Sequence, residues 1–226
     1  MADAAGAATP SHNMSDVKIT FSADTNAATA AVQRFAATLQ SRLQQAAGAL
    51  LTVLSVRTLD NWINKRARRQ VPIPPRGTLS DYVPFYFTPF SIMMFNIKTG
   101  YGSIKKRENR DIVIFVSSVH RLRDMDLPFV FTNQHAYSVD TEFFSDPEDL
   151  KRIDWLLLQS RNFKTDDDDP GKQLRYQAEA LVHRHLPLSA LRAICCHNSV
   201  VKQHLDGLLS DRGQQIDVKT TPTWYF

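Results

Sequence analysis

Apolar positions along this chain change their period several times, and each change marks a new element. Val17, Ile19 and Phe21 alternate within residues 16–22, which predicts a short strand. From Thr25 to Leu54 the period lengthens: Val32, Phe35, Leu39 and Leu43 recur every three or four residues among Ala, Gln and Arg. That spacing, in an Ala-rich stretch, predicts a long amphipathic helix. A short basic helix over Asp60–Arg69 follows, stopped by Val71-Pro72-Ile73-Pro74-Pro75, whose prolines force extended backbone. Tyr82–Thr88 reads as an aromatic strand, Ser91–Lys98 as a short buried helix and Asp111–Ser117 as a central strand with an almost unbroken apolar run. Phe129–Phe131 forms another strand, closed by Thr132-Asn133-Gln134-His135. Later come a helix over Leu150–Leu158, strands over Ala178–Val182 and Leu191–Cys195, an amphipathic helix over Ser199–Leu209 and a last strand over Asp217–Lys219. Strands and helices mix without βαβ regularity, which predicts an α+β domain.

Composition narrows the class. With 226 residues, 43% hydrophobic and 22% charged, the chain has the make-up of a globular protein of one domain plus an appendage. Residues 1–15 are Ala, Ser and polar, and are expected to be a disordered tail. No apolar run reaches the ~18 residues of a membrane helix, and the first ten residues lack the basic-then-apolar order of a secretory signal. No membrane association is expected. The two cysteines, Cys195 and Cys196, are adjacent, an arrangement that suits neither a structural disulfide nor zinc. His183 and His185 flank Arg184 with no third ligand in view, so no metal is expected. These features point to the cytoplasm.

The net charge of +4 is unevenly spread. Arg57, Lys65, Arg66, Arg68, Arg69 and Arg76 face Asp60 alone, and Lys98, Lys105, Lys106, Arg107 and Arg110 face only Glu108. Two basic clusters flanking an aromatic strand fit either a polyanion-binding surface or a solvated face. Further along, Asp166-Asp167-Asp168-Asp169 must stay in solvent because adjacent carboxylates repel, and Pro170-Gly171 then breaks the chain. The chain turns apolar at once, leaving Glu179 inside Ala178–Val182. A carboxylate in such an element needs a partner or a chemical task.

The stretch Gly77-Thr78-Leu79-Ser80-Asp81-Tyr82-Val83-Pro84-Phe85-Tyr86-Phe87-Thr88-Pro89 resembles the signature of the DarT-type DNA ADP-ribosyltransferase toxins. Further stretches agree in order: Ile112–Ser117, Leu127–Thr132, Ile153-Asp154-Trp155, the Gln177-Ala178-Glu179 element and the closing Trp224-Tyr225-Phe226. The resemblance covers about residues 57–226. It implies an ADP-ribosyltransferase-like fold, a mixed split sheet with an NAD cleft, here preceded by the long Ala-rich helix. It also implies transfer of ADP-ribose from NAD, used as a substrate, to thymine in single-stranded DNA with release of nicotinamide. A macrodomain antitoxin of the DarG type would restrain such an enzyme.

Carried over residue by residue, the resemblance makes Glu179 the catalytic glutamate and Arg66, in Asn64-Lys65-Arg66-Ala67, the catalytic arginine that also holds NAD. Arg69 is the alternative arginine and a candidate DNA contact. Tyr82 and His135 are candidate cofactor contacts, with stabilisation of its turn as the other reading of His135. Lys172 and Arg175, on the loop where this fold class recognises its substrate, are candidates for DNA phosphates; Tyr86, Phe90 and Met93 are stacking or wedge candidates, with core packing the favoured reading of Tyr86 and Met93. The chemistry suits these residue types. Cleaving the nicotinamide–ribose bond leaves positive charge on the sugar, which a buried carboxylate stabilises, and a guanidinium fork suits the NAD diphosphate.

One departure stands out. Family members begin with a histidine-containing segment that grips NAD, followed by a turn like Asp-Asn-Gly, and residues 1–56 carry no counterpart. Residues 16–56 therefore read as an unrelated strand-and-helix segment ahead of a transferase domain at 57–226. Two other readings remain open: a catalytically crippled relative that only binds single-stranded DNA, and an assembly protein that joins other chains through the N-terminal helix.

Overall fold

The strand that carries Glu179 sits deep in an eight-stranded sheet. The computed structural model describes residues 66–101 and 104–226, together with the backbone of residues 19–21. In chain order the strands are β1 (Ile19–Phe21), β2 (Tyr82–Tyr86), β3 (Ile114–Ser117), β4 (Phe129–His135), β5 (Phe143–Phe144), β6 (Ala178–His183), β7 (Ala193–Cys196) and β8 (Val218–Thr220). Their spatial order is β5-β4-β6-β2-β1-β3-β7-β8, antiparallel throughout except for the parallel β7–β8 pair. The sheet has two halves joined through β1, which pairs Phe21 with Phe85 on one side and Ile19 with Ser117 on the other. The strand expected within residues 16–22 is thus present. The long helix expected at Thr25–Leu54, and all of the short basic helix except 66–69, lie outside the described residues.

Alternation along the strands sorts the core. On β6, Ala178, Ala180 and Val182 face the main cluster with Val83, Phe85, Phe129 and Phe131. Leu181 faces the other way, with Tyr82, Val130, Val71, Leu79 and Ala136. Glu179 shares that second face by the two-residue period of a strand. Burial on both sides explains why β6 reads as a nearly continuous apolar run.

Among the described residues the α-helices are α1 (Ile92–Thr99), α2 (Val119–Asp124), α3 (Trp155–Ser160), α4 (Lys172–Arg175) and α5 (Ser199–Ser210). Two sequence expectations change here. The helix expected over Leu150–Leu158 is two pieces, a 3-10 helix at Pro147–Arg152 and then α3. Asp154 causes the break, because its side chain accepts the Leu157 N–H at 3.1 Å and caps a new helix. The helix expected to be buried at Ser91–Lys98 buries only Met94 within α1, and its other residues are half-buried or exposed. The strand that ends at Phe131 in the sequence pattern instead runs on to His135 through an irregularity in its pairing with β6.

Candidate active site

Glu179 is 2% exposed, and its carboxylate is held on three sides. Its Oε1 accepts the Ala136 amide at 3.2 Å and lies 2.9 Å from His135 Nδ1, while its Oε2 lies 3.4 Å from an Arg66 terminal nitrogen. A carboxylate only accepts, so the geometry assigns a proton to Nδ1 and points Nε2 away from Glu179. Burial pushes the Glu179 carboxyl up, but the hydrogen bond from His135, the Arg66 guanidinium and the Ala136 N–H together hold it below its ordinary value. Glu179 is therefore ionised at neutral pH.

Each partner is placed by a local feature of sequence. The irregularity in β4 between Phe131 and His135 turns the chain so that both His135 and the Ala136 amide reach a carboxylate on the neighbouring strand. Thr132 ties the bend down, since its hydroxyl accepts the Glu179 N–H at 3.1 Å and donates to the Gln134 carbonyl at 2.7 Å. Arg66 is 3% exposed and also donates to the Leu79 carbonyl at 2.9 Å. That carbonyl is fixed by the tight turn before β2. The Asp81 carboxylate accepts the Thr78 N–H at 2.7 Å and lies 3.0 Å from the Thr78 hydroxyl, and Gly77 has φ 89°. A Cβ at Gly77 would come within 2.7 Å of Asp81 Oδ2, so the turn requires glycine.

The structure therefore brings Glu179, Arg66 and His135 together. Tyr86 stands directly across from Glu179 in the β2–β6 register and is buried. Tyr82 is buried too; its hydroxyl donates to the Arg76 carbonyl at 2.6 Å, and burial, then the Asp81 charge, pushes its pKa up to about 12. Arg69 engages the backbone, donating to the Ala136 and Ser138 carbonyls at 3.4 and 3.0 Å. It thus braces the loop just beyond His135. Met93 is half-buried on α1.

The loop between α3 and α4 is ordered by side chains on both flanks. Lys172 and Arg175, expected at DNA phosphates, are engaged within the protein. Lys172 is buried and pairs with Asp166 at 3.8 Å. Arg175 bridges Asp169 at 3.0 Å and Asp154 at 3.1 Å, which raises the arginine and lowers the Asp169 carboxyl through the same bond. Tyr176 closes the loop from beneath: its hydroxyl accepts the Asn162 N–H at 2.7 Å and lies 2.7 Å from Ser160 Oγ. The acidic run is thus partly a set of internal counter-charges. Sequence reasoning missed Thr132 and the carbonyl of Leu79. Thr132 could have been found as the inward position of β4, directly before the Asn133-Gln134 break in apolar pattern.

Among the described residues no cluster of three metal-ligating side chains occurs, and no helix is long and apolar enough to cross a membrane. The expected N-terminal NAD-gripping segment would fall on residues outside the described ones.

Comparison with known proteins bears on the chain as a whole. A family model described as "ssDNA thymidine ADP-ribosyltransferase, DarT" matches residues 32–226, a span that crosses the boundary drawn at residue 57. A DNA ADP-ribosyl transferase of Escherichia coli O127:H6 (strain E2348/69 / EPEC) is 47% identical over 175 residues, 74% of this chain and 80% of the relative. Among solved structures, Thermus sp. 2.9 DarT in complex with ADP-ribosylated ssDNA superposes with a TM-score of 0.66 at 30% identity, over 72% of this chain and 77% of that one. The same protein in complex with NAD+ gives 0.65 at 30% identity, over 72% and 81%.

Proposed function

We propose, from the premise that this chain belongs to the DarT family of ssDNA thymidine ADP-ribosyltransferases, that Glu179, Arg66 and His135 carry out the family reaction. The enzyme takes ADP-ribose from NAD and places it on thymine in single-stranded DNA, releasing nicotinamide. The observation that carries the site assignment is the buried, ionised Glu179 carboxylate bonded to His135 and Arg66.

In this reading the bond from ribose C1′ to the nicotinamide nitrogen breaks, and its electron pair stays with the nicotinamide, which leaves neutral. The positive charge left on the ribose is stabilised by Glu179 in a site with little water. A thymine ring nitrogen forms the new bond to C1′ and gives up its proton. His135 accepts it at Nε2, because its Nδ1–H is already committed to Glu179. Arg66, fixed at its far end by the Leu79 carbonyl, orients the carboxylate and offers a guanidinium to the NAD diphosphate. The residues present suit NAD as a substrate, joining one anionic group for the sugar cation to one cationic fork for the phosphates.

Lys172, Arg175 and Arg69 brace the two loops that border the site. The 161–171 loop meets the DNA strand, and a macrodomain antitoxin of the DarG type in the cytoplasm is the partner that family membership suggests. The test is incubation with labelled NAD and single- or double-stranded DNA of the same sequence. Label on the single strand, with stoichiometric nicotinamide release, is expected. Label on the protein alone, or none on any nucleic acid, would overturn the reading.

A further inference from the structure

Phe90, a stacking candidate in the sequence, is not itself available to a base, because an arginine already covers it. Phe90 follows Tyr86 by four residues, a reach of at most ~14 Å, and Tyr86 stands opposite Glu179. The Phe90 ring is buried, edge-on to Phe226 with centroids 5.7 Å apart. One face of the ring is covered by Arg161, whose guanidinium carbon lies 3.5 Å from the ring centroid. At that separation the guanidinium plane lies flat on the ring. Arg161 is itself exposed, and among the described residues no carboxylate pairs with it, unlike Arg66, Arg152 and Arg175.

The backbone presents Arg161 deliberately. It has φ 53°, a left-handed conformation uncommon for a residue with a long side chain. Both neighbours are pinned to one atom: Ser160 Oγ and Asn162 N each lie 2.7 Å from the Tyr176 hydroxyl. Tyr176 is three residues from Glu179. The platform is thus set by the same segment that places the catalytic carboxylate.

We infer that the outer face of the Arg161 guanidinium is a stacking subsite for an unpaired DNA base that flanks the target thymine. A guanidinium already stacked on an aromatic ring offers a flat cationic surface, and every base has a π-face to lay on it. The inference rests on the single-stranded DNA reading above and adds a base-binding position to it.

The test measures binding of a labelled thymine-containing oligonucleotide by anisotropy across a salt series, for the wild type, Arg161→Ala and Arg161→Lys. Arg161→Ala is expected to weaken binding roughly tenfold, as loss of one stacked base does, and Arg161→Lys not to restore it, since an ammonium has no plane. The salt slope should hold. If Arg161 merely met a phosphate, lysine would restore affinity and the alanine variant would lower the slope by about 0.7. An abasic site walked along the oligonucleotide should weaken the wild type at one position beside the thymine and leave Arg161→Ala indifferent there. Equal binding by wild type and Arg161→Ala, rescue by lysine, or the absence of such a position would overturn the subsite. A wild type that modifies thymine while Arg161→Ala binds normally removes only the subsite; a wild type that modifies no DNA removes the functional reading itself.

Discussion

Replacing Glu179 by glutamine keeps the shape of the side chain and removes its charge. A unit charge about 4 Å from a cationic sugar, at an effective dielectric of about 20, contributes ~4 kcal/mol, or about a thousandfold in rate. Glu179→Gln should therefore lose about three powers of ten in oligonucleotide modification, read as the mass gain of the DNA strand over time. The substitution also has a structural cost. One amide end must present donors to a pocket that already aims the Ala136 N–H, His135 Nδ1 and the Arg66 guanidinium at it. Breaking a buried ion pair from one side typically costs about 3–5 kcal/mol, a large share of a total stability of about 5–15 kcal/mol. Arg66 keeps its bond to the Leu79 carbonyl, so a folded variant with a lowered melting temperature is expected. Thermal unfolding is the control. Should the glutamine variant fail to fold, Glu179→Asp retains the charge but draws it back by about 1.5 Å, away from His135, and should fold with strongly reduced activity. A folded Glu179→Gln protein within about tenfold of wild-type rate would refute the charge-stabilisation argument.

Thr132→Val leaves the buried Glu179 N–H without its acceptor and should cost about 1–3 kcal/mol, seen as a lower urea midpoint with an unchanged slope. Gly77→Ala forces a Cβ towards Asp81 at a positive φ; it should destabilise the protein by about 1 kcal/mol or more, and should slow turnover by loosening the Leu79 carbonyl that anchors Arg66. The Glu179 carboxyl is depressed in the folded protein, so the stability it contributes is fully present above the unfolded value of about 4.3 and is lost as pH falls through the lower folded value. Urea unfolding at pH 7 and near pH 3 should show the wild type losing its advantage over Glu179→Gln only at the acid end; an advantage that disappears already near pH 6 would contradict the assignment.

Much of the fold was legible because its strands obey simple rules. The apolar runs at Asp111–Ser117 and Ala178–Val182 became β3 and β6, and even the weak alternation at residues 16–22 became β1. Glu179 was legible as a charge where the pattern allowed none, and Arg66 and His135 through the family resemblance. What the sequence hid was set by side chains reaching across the chain. Asp154 split a helix by capping a new one. The bend in β4 that lets the Ala136 amide reach Glu179 arises from pairing with β6, which no local pattern announces. Lys172 and Arg175 were singled out by the loop they sit on, and no sequence pattern showed that Asp166, Asp169 and Asp154 stand beside them in the fold. Arg161 drew no notice as one basic residue among many, and only the fold sets its guanidinium 3.5 Å over the Phe90 ring.

The central claim is the transfer of ADP-ribose to thymine, and the most direct measurement is mass spectrometry of two single-stranded oligonucleotides that differ only in thymine. Each is incubated with NAD and the wild-type protein. The thymine-containing strand should gain the mass of one ADP-ribose unit, fragmentation should place it on the thymine base, and the strand in which cytosine replaces thymine should stay unmodified. Equal modification of both strands, or of neither, would contradict the account.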